Sequence, residues 1–220
     1  NRHTPKNIFL VTGKNSYEKS GAKSIIDGFL KDYKTFQFND FETNPKLPDI
    51  EKGIKLFKNN NYDLVIAVGG GTVIDIAKSI NIFAFNEGQP IEYLTKRKMI
   101  SSRGAPLVAV PTTTGTGSEA TKFAVIYTEK VKNSLEHEFI LPDYAIIDPQ
   151  LALNTPKKIA ASPIMDALCQ AIESYWSVNS TQESKAYAEQ AIKILVKSLP
   201  QAANNPTNES AEELAKAANL

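Results

Sequence analysis

Residues 67–80 read AVGGGTVIDIAKSI and place three consecutive glycines between an apolar run and a helical pattern. Glycines at such a turn let backbone N–H groups approach an anion, and the helix N-terminus adds partial positive charge there. The stretch therefore predicts a phosphate cradle formed by Gly69, Gly70, Gly71 and Thr72. It matches neither a Walker P-loop nor a strict GxGxxG motif. A tight turn without a ligand is the alternative, although three glycines in a row are costly for that purpose alone.

Short apolar runs and amphipathic runs alternate on both sides of this turn. The predicted strands are residues 7–12, 35–41, 63–68, 106–110 and 145–148, and the predicted helices are residues 17–31, 49–59 and 73–85. Strands that alternate with helices of about ten residues or more are typical of βαβ units. We therefore predict an α/β fold with a Rossmann-like, doubly wound, mainly parallel sheet.

The texture of the sequence changes after Asp148, where β-branched runs give way to long helical patterns. These patterns cover residues 162–177, 184–197 and 211–220, with a Pro/Asn-rich loop over residues 200–208. We predict a dinucleotide-binding α/β domain over residues 1–155. Residues 156–220 would begin an all-helical metal and substrate domain, which we expect to be incomplete because the last helix ends without a cap.

Composition narrows the possible partners. With 25 basic and 24 acidic residues the net charge is +1, and no Lys/Arg run of the kind that follows a phosphate backbone occurs, so nucleic acid is not expected as a partner. The apolar stretches are far shorter than the roughly 20 residues of a membrane span. The start of the chain shows no signal-peptide pattern, and the single cysteine, Cys169, fits a reducing compartment. We expect a cytoplasmic protein with no membrane partner.

A second donor-rich stretch, VPTTTGTGSEATKF at residues 110–123, follows the fourth predicted strand. Ligands of open α/β sheets bind at the carboxyl ends of the strands. Hydroxyls and backbone amides at this position are suited to hold a pyrophosphate or a nicotinamide ribose.

A third stretch, IMDALCQAIESYW at residues 164–176, places Asp166 one helical turn before Gln170. Residues four apart share a helix face, so a carboxylate and a carboxamide oxygen here could point at one metal ion. A solvated pair or a local hydrogen bond is the alternative at this spacing.

Together these stretches carry a resemblance to a known family. GGGTxxDxAK, PTTxGTGSE, PDYAIIDP and DAL followed by AIE occur in order, and the chain from about residue 7 to its end resembles the iron-containing (group III) alcohol dehydrogenases. The resemblance implies hydride transfer between a nicotinamide cofactor and a small aldehyde or alcohol. It also implies a Rossmann-like N-terminal domain and a helical C-terminal domain with a divalent metal, Fe, Zn or another, between them.

The resemblance assigns roles to individual positions. Gly69, Gly70, Gly71 and Thr72 match the pyrophosphate loop, Thr112, Thr113 and Thr116 match residues near the nicotinamide, Asn44 and Lys132 match cofactor contacts, and Asp166 matches the first metal ligand. The rival assignments are a glycerol dehydrogenase-like or dehydroquinate synthase-like enzyme, and a catalytically inactive nucleotide-binding relative. A homodimer or higher homo-oligomer is expected.

The coenzyme is predicted from the turn after the first strand. Gly13 stands where NAD-preferring relatives often carry Asp, whose carboxylate would repel a 2′-phosphate. Gly13, Lys14, Asn15 and Ser16 could instead give amides, a cation and a hydroxyl to that phosphate, which predicts NADP(H) in preference to NAD(H). An ordinary strand-to-helix turn is the alternative.

Position 170 departs from the family pattern, which has histidine there as the second metal ligand. Gln170 is a weaker donor for iron or zinc, and the family's two further histidine ligands lie beyond the end of this sequence. The run DALCQAIESYWSVNSTQESKAYA is similar to the phosphonoacetaldehyde reductase branch of the family. This similarity predicts phosphonoacetaldehyde as substrate and a role in phosphonate metabolism.

Overall fold

The structure is a computed structural model that describes residues 5–129, 131–204 and 206–220. The chain divides into two compact units. The first unit contains the described residues as far as Pro111, together with Ser118–Ile146, and the second contains Thr112–Gly117 and Ile147–Leu220. The units therefore part after Ile146, while the predicted domain boundary near residue 155 stays a prediction.

The first unit is built around a parallel sheet. Its strands are β1 (Asn7–Thr12), β2 (Lys34–Phe38), β3 (Leu64–Gly69), β4 (Leu107–Pro111), β5 (Phe123–Thr128), β6 (Val131–Glu136) and β7 (Tyr144–Ala145), and its helices are α1 (Ser16–Lys19), α2 (Ala22–Leu30), α3 (Leu47–Lys58), α4 (Gly71–Ala84) and α5 (Pro90–Leu94). Five strands pair in parallel in the order β2-β1-β3-β4-β7, and β5 and β6 form a separate antiparallel hairpin. The predicted α/β fold class with a mainly parallel sheet is confirmed.

The core of the first unit lies between the sheet and helices α3 and α4. Phe9 is fully buried and its ring centroid lies 5.1 Å from those of both Phe57 and Tyr62. Helix α4 is buried along its whole length from Val73 to Phe83, because it packs against β3, β5 and α3. A helix buried on all sides must find partners for its polar side chains.

The second unit is helical. It contains α6 (Gln150–Leu153), α7 (Lys157–Trp176), α8 (Gln182–Asn204) and α9 (Asn208–Ala218). Ile164 of α7, Leu195 of α8 and Leu214 of α9 form the centre of its core. No helix in the described part of the chain combines the length and apolar character needed to cross a membrane.

Four main differences separate the prediction from the structure. The helix predicted over residues 17–31 is broken into α1 and α2, because Gly21 has a φ of 83° in the left-handed region. The last sheet strand, predicted over residues 145–148, is limited to Tyr144–Ala145, since Asp148 accepts a hydrogen bond from the Gln150 N–H and starts α6. The β5–β6 hairpin was not predicted.

The fourth difference concerns the predicted loop over residues 200–208. Helix α8 continues through Pro200 to Asn204. Proline removes one helical hydrogen bond, but buried Ala202 belongs to the same core as Leu214. Tertiary packing therefore outweighs the local preference for a loop.

Candidate functional site

The order of the strands creates a crevice between β1 and β3. The chain leaves β1 toward β2 on one side and leaves β3 toward β4 on the other, so the connections diverge at this point. Open α/β sheets bind ligands at such a switch point, outside the carboxyl ends of the strands. Gly13 follows the end of β1, and a Cβ placed on it would lie 3.7 Å from Cγ2 of Val73 in the first turn of α4. The structure thus brings the turn at Gly13 close to the glycine loop, residues 69–72.

The glycine loop has the geometry of an anion cradle. A Cβ on Gly69 would lie 2.3 Å from Val73 Cγ2, so the turn into α4 requires glycine at this position. Gly70 is the N-cap of this 14-residue helix, no side chain caps it, and its first turn contains no acidic residue. The first turn, which begins at Gly71 and Thr72, therefore presents a positive helix end without a resident carboxylate. These features fit the pyrophosphate of a dinucleotide.

The turn after β1 is compact and partly exposed. A Cβ on Gly13 would lie 2.1 Å from Ser16 Oγ, so the serine hydroxyl occupies the space beside this glycine. Lys14 and Asn15 are exposed, and Asn15 is the N-cap residue of α1. The Lys14 Nζ lies 3.3 Å from Asp40 Oδ1.

Asn44 and Lys132 lie on neighbouring segments of the first unit. Asn44 is exposed with a φ of 65°, and the carbonyl of the following Pro45 accepts a hydrogen bond of 2.7 Å from Tyr127 N–H. Tyr127 is paired with Lys132 in the β5–β6 hairpin. Tyr127 thus connects the two predicted cofactor contacts, because it bonds to the residue after Asn44 and pairs with Lys132.

Two buried residues that sequence reasoning missed hold α4 in place. The Lys78 Nζ donates hydrogen bonds to the carbonyls of Thr121, at 2.7 Å, and Phe123, at 2.8 Å. Asp75 accepts a hydrogen bond from Ser118 Oγ and one of 3.0 Å from Val125 N–H. Burial raises the pKa of the Asp75 carboxyl against these hydrogen bonds, and it lowers the pKa of Lys78 to about 8. Both residues fix the helix that carries the glycine loop.

The threonine loop, Thr112–Gly117, lies in the second unit and packs against the N-terminal half of α7. Gly115 has a φ of 126°, and a Cβ on it would lie 2.1 Å from the carbonyl oxygen of Pro163. The Thr112 carbonyl accepts a hydrogen bond of 3.1 Å from Thr155 Oγ1. Thr112 is buried, and no described residue partners its Oγ1 atom. Thr113 and Thr116 are partly exposed.

Asp166 and Gln170 share an exposed face of α7. The Gln170 Nε2 donates a hydrogen bond of 2.8 Å to Asp166 Oδ2. Gln170 also lines a cavity of about 220 Å³ together with Gly115, Ser174 and Tyr187. The local hydrogen bond, which was one of the two alternatives for this spacing, is therefore present, and the pair lies one turn beyond the threonine-loop contact at Pro163.

Donors for a metal ion are few among the residues that the structure describes. In that part of the chain, no three His, Cys, Asp or Glu side chains lie close enough together to hold a metal ion. Asp166 and Gln170 offer one carboxylate and one carboxamide oxygen, and the Gln170 amide N–H already donates to Asp166 Oδ2. A catalytic metal usually takes at least three protein ligands. The described residues alone therefore do not fit a bound catalytic metal.

Comparison with known sequences matches both parts of the chain to one family. The model of the iron-containing alcohol dehydrogenase family matches residues 1–149, and the model of the C-terminal region of that family matches residues 160–220. Long-chain-alcohol dehydrogenase 1 of Geobacillus thermodenitrificans is 36% identical over 181 residues, covering 81% of this chain and 46% of that protein. The NAD-dependent methanol dehydrogenase of Bacillus methanolicus is 37% identical over 178 residues, covering 80% and 46%.

Comparison with solved structures gives the same result. Sulfoacetaldehyde reductase from Bifidobacterium kashiwanohense, solved in complex with NAD+, superimposes with a TM-score of 0.88 at 31% identity, over 97% of this chain and 57% of that one. The chain spans about half the length of the relatives that it matches. The family models match both parts of the chain, and its relatives and its fold agree with them. The chain therefore belongs to the iron-containing alcohol dehydrogenase family.

Proposed function

We propose that the protein is an oxidoreductase that transfers a hydride between NADP(H) and a small anionic aldehyde, with phosphonoacetaldehyde and 2-hydroxyethylphosphonate as the substrate pair. The observation that carries the proposal is the uncapped glycine loop at the N-terminus of α4, beside Gly13 at the switch point of the sheet. Sites of this kind bind dinucleotides.

The cofactor supplies the hydride, and the chain's own residues would hold and orient it. Backbone N–H groups of Gly69, Gly70, Gly71 and Thr72 would bind the pyrophosphate, with Asn44 and Lys132 as further contacts. Thr112, Thr113 and Thr116 would line the nicotinamide. The buried Thr112 Oγ1 supports that role, because a buried hydroxyl without a protein partner among the described residues is a place for a ligand's polar group.

The methanol dehydrogenase and the sulfoacetaldehyde reductase named above are both described with NAD. The proposed preference for NADP(H) therefore rests on this chain's own residues and not on these relatives. Gly13 leaves no carboxylate at the end of β1 to repel a 2′-phosphate. Lys14 adds a cation, and Asn15 and Ser16 add polar groups beside it.

Asp166 is proposed as one ligand of a divalent metal, with Gln170 as a weaker neighbour. A carboxylate and a carboxamide oxygen make a harder donor set than imidazoles, which disfavours zinc relative to magnesium or manganese. Metal analysis of the purified protein should find about one ion per chain if the site is complete, and Asp166→Ala should remove it. Full activity after exhaustive chelation would refute this role.

The substrate proposal rests on the branch similarity around residues 166–188, and the structural likeness to a sulfoacetaldehyde reductase, whose substrate is also a small anionic aldehyde, supports it. A small anion offers little apolar surface, so its recognition depends on charge-assisted hydrogen bonds. A pocket built that way should reject an uncharged analogue by about a hundredfold or more.

The test compares kcat/KM for phosphonoacetaldehyde with kcat/KM for propanal and butanal, using NADPH throughout. If kcat/KM is equal for the neutral aldehydes, the phosphonoacetaldehyde assignment is refuted, and only the general alcohol dehydrogenase function is retained. Nucleotide binding without turnover of any aldehyde would favour the inactive relative, and turnover of glycerol would favour a glycerol dehydrogenase-like enzyme. The homo-oligomeric state and the cytoplasmic location stay predictions.

A further inference from the structure

Three charged side chains meet where β1 and β2 end. The Lys14 Nζ lies 3.3 Å from Asp40 Oδ1, and the Lys52 Nζ contacts the other carboxylate oxygen, Oδ2. About half of each lysine side chain is exposed, 54% for Lys14 and 49% for Lys52, so the cluster is open to a ligand. Two ammonium groups and one carboxylate leave a net positive charge.

The cluster adjoins the proposed cofactor crevice. The last paired residues of β1 and β2 are Val11 and Phe38, and Gly13 and Asp40 each stand two residues beyond that pair. Parallel strands end at the same edge of the sheet, so Asp40 lies beside the turn at Gly13. Lys52 reaches the cluster from α3, which is far from Lys14 in the sequence. No sequence motif connects these three residues.

We propose that Lys14 and Lys52 bind a phosphomonoester, and that Asp40 is the resident counterion which this phosphate displaces. The inference rests on the proposed function, in which the phosphomonoester is the adenosine 2′-phosphate of NADP(H). A phosphate carries a charge of about −2 and several acceptor oxygens, which suits two ammonium groups better than a single carboxylate does.

The opposite role for Asp40 is also testable. A carboxylate near this edge of a dinucleotide site can accept a hydrogen bond from a ribose 2′-hydroxyl, which selects NAD. Here both oxygens of Asp40 already face lysines, and both lysines hold its pKa below the usual range, so the carboxylate stays ionised and paired. The lysines, with three N–H groups each, retain donors for a phosphate.

The experiment measures binding of two nucleotides that differ by one phosphate, adenosine 2′,5′-bisphosphate and 5′-AMP, by isothermal titration calorimetry. Wild type should bind the bisphosphate more tightly. Lys52→Met should weaken bisphosphate binding about fivefold and leave 5′-AMP unchanged, and Lys52→Arg should restore most of the loss. Asp40→Asn should strengthen bisphosphate binding about threefold, because it removes the competing charge.

Glu189→Gln is the matched control, since Glu189 is also an exposed carboxylate paired with a lysine, Lys193, but lies on α8 in the second unit. It should change neither affinity. The inference is overturned if Lys52→Met leaves the ratio of the two affinities unchanged, or if Asp40→Asn weakens 5′-AMP binding, as a ribose-binding carboxylate would require. The test needs neither metal nor turnover. Loss of aldehyde reduction with a retained bisphosphate preference would therefore refute the proposed function alone, whereas binding of neither nucleotide would refute both.

Discussion

The two regions that contain the predicted site residues, one in each unit, are stabilised in different ways. Around the glycine loop, buried side chains of α4 bind backbone groups of other segments, as Lys78 binds the Thr121 and Phe123 carbonyls. Around α7, close backbone packing at Gly115 sets the position of the threonine loop, while Asp166 and Gln170 are exposed. The first region is preorganised by its own polar contacts. The second leaves the polar side chains of Asp166 and Gln170 accessible to an incoming ligand.

The largest effect is expected at Gly115. Gly115→Ala should lower the free energy of unfolding by about 3 to 5 kcal/mol, because a Cβ would meet the Pro163 carbonyl and a φ of 126° strains an L residue. Gly28→Ala is the matched control, since a Cβ there meets no atom within 4 Å and Gly28 lies inside α2. It should stabilise the protein by about 0.5 to 1 kcal/mol. Urea unfolding measures both, and equal midpoints for the two variants would contradict the close contact at Pro163.

Removing the buried ammonium of α4 should have the next largest effect. Lys78→Met leaves the Thr121 and Phe123 carbonyls without their donor, and we expect a loss of about 3 kcal/mol. Lys193→Met, which breaks an exposed ion pair with Glu189, should cost less than about 0.5 kcal/mol. Similar losses of unfolding free energy in the two variants would mean that the hydrogen bonds of Lys78 do not stabilise the fold more than an exposed ion pair does.

The same lysine predicts a pH dependence. Burial lowers its pKa in the folded protein to about 8 from the ordinary value of 10.5, so between these values the unfolded chain binds more protons than the folded one. Stability from this group therefore rises with pH across the interval, by about 2 kcal/mol between about pH 7.5 and 9.5. The difference in unfolding free energy between wild type and Lys78→Met should widen by that amount. A constant difference over this range would show that burial does not shift the pKa of Lys78.

The coenzyme preference sharpens the role of the first region. Gly13→Asp should shift the ratio of kcat/KM for NADPH and NADH about tenfold toward NADH, because the new carboxylate repels a 2′-phosphate and accepts from a 2′-hydroxyl. Gly13→Ala separates charge from size, since any Cβ at this position displaces the Ser16 hydroxyl. If alanine shifts the ratio as far as aspartate does, the steric effect alone explains it. A clear NADH preference in wild type would refute the NADP(H) proposal.

The sequence predicted what depends on local patterns and missed what depends on contacts between distant segments. Continuous apolar runs such as those of β1 and β3 marked the buried strands, and the three glycines marked the turn into α4. The strand Val131–Glu136 was missed because its sequence, VKNSLE, is mostly polar. Its strand conformation depends on pairing with β5, which its own sequence does not reveal. The sequence did contain a signal that could have predicted the roles of Asp75 and Lys78. They are the two charged side chains of a helix that is buried on all sides, so both needed partners.

The smallest effect is expected at the polar pair of α7. Gln170→Ala removes an exposed hydrogen bond to Asp166, and such a bond competes with water, so the free energy of unfolding should change by less than about 0.5 kcal/mol. Urea unfolding of metal-free protein, alongside Lys78→Met, makes the comparison direct. A loss above about 1.5 kcal/mol would mean that the pair is a structural anchor like Lys78. A near-neutral result would mean that stability does not require Asp166 and Gln170 to bind each other, which leaves their oxygens available to a ligand.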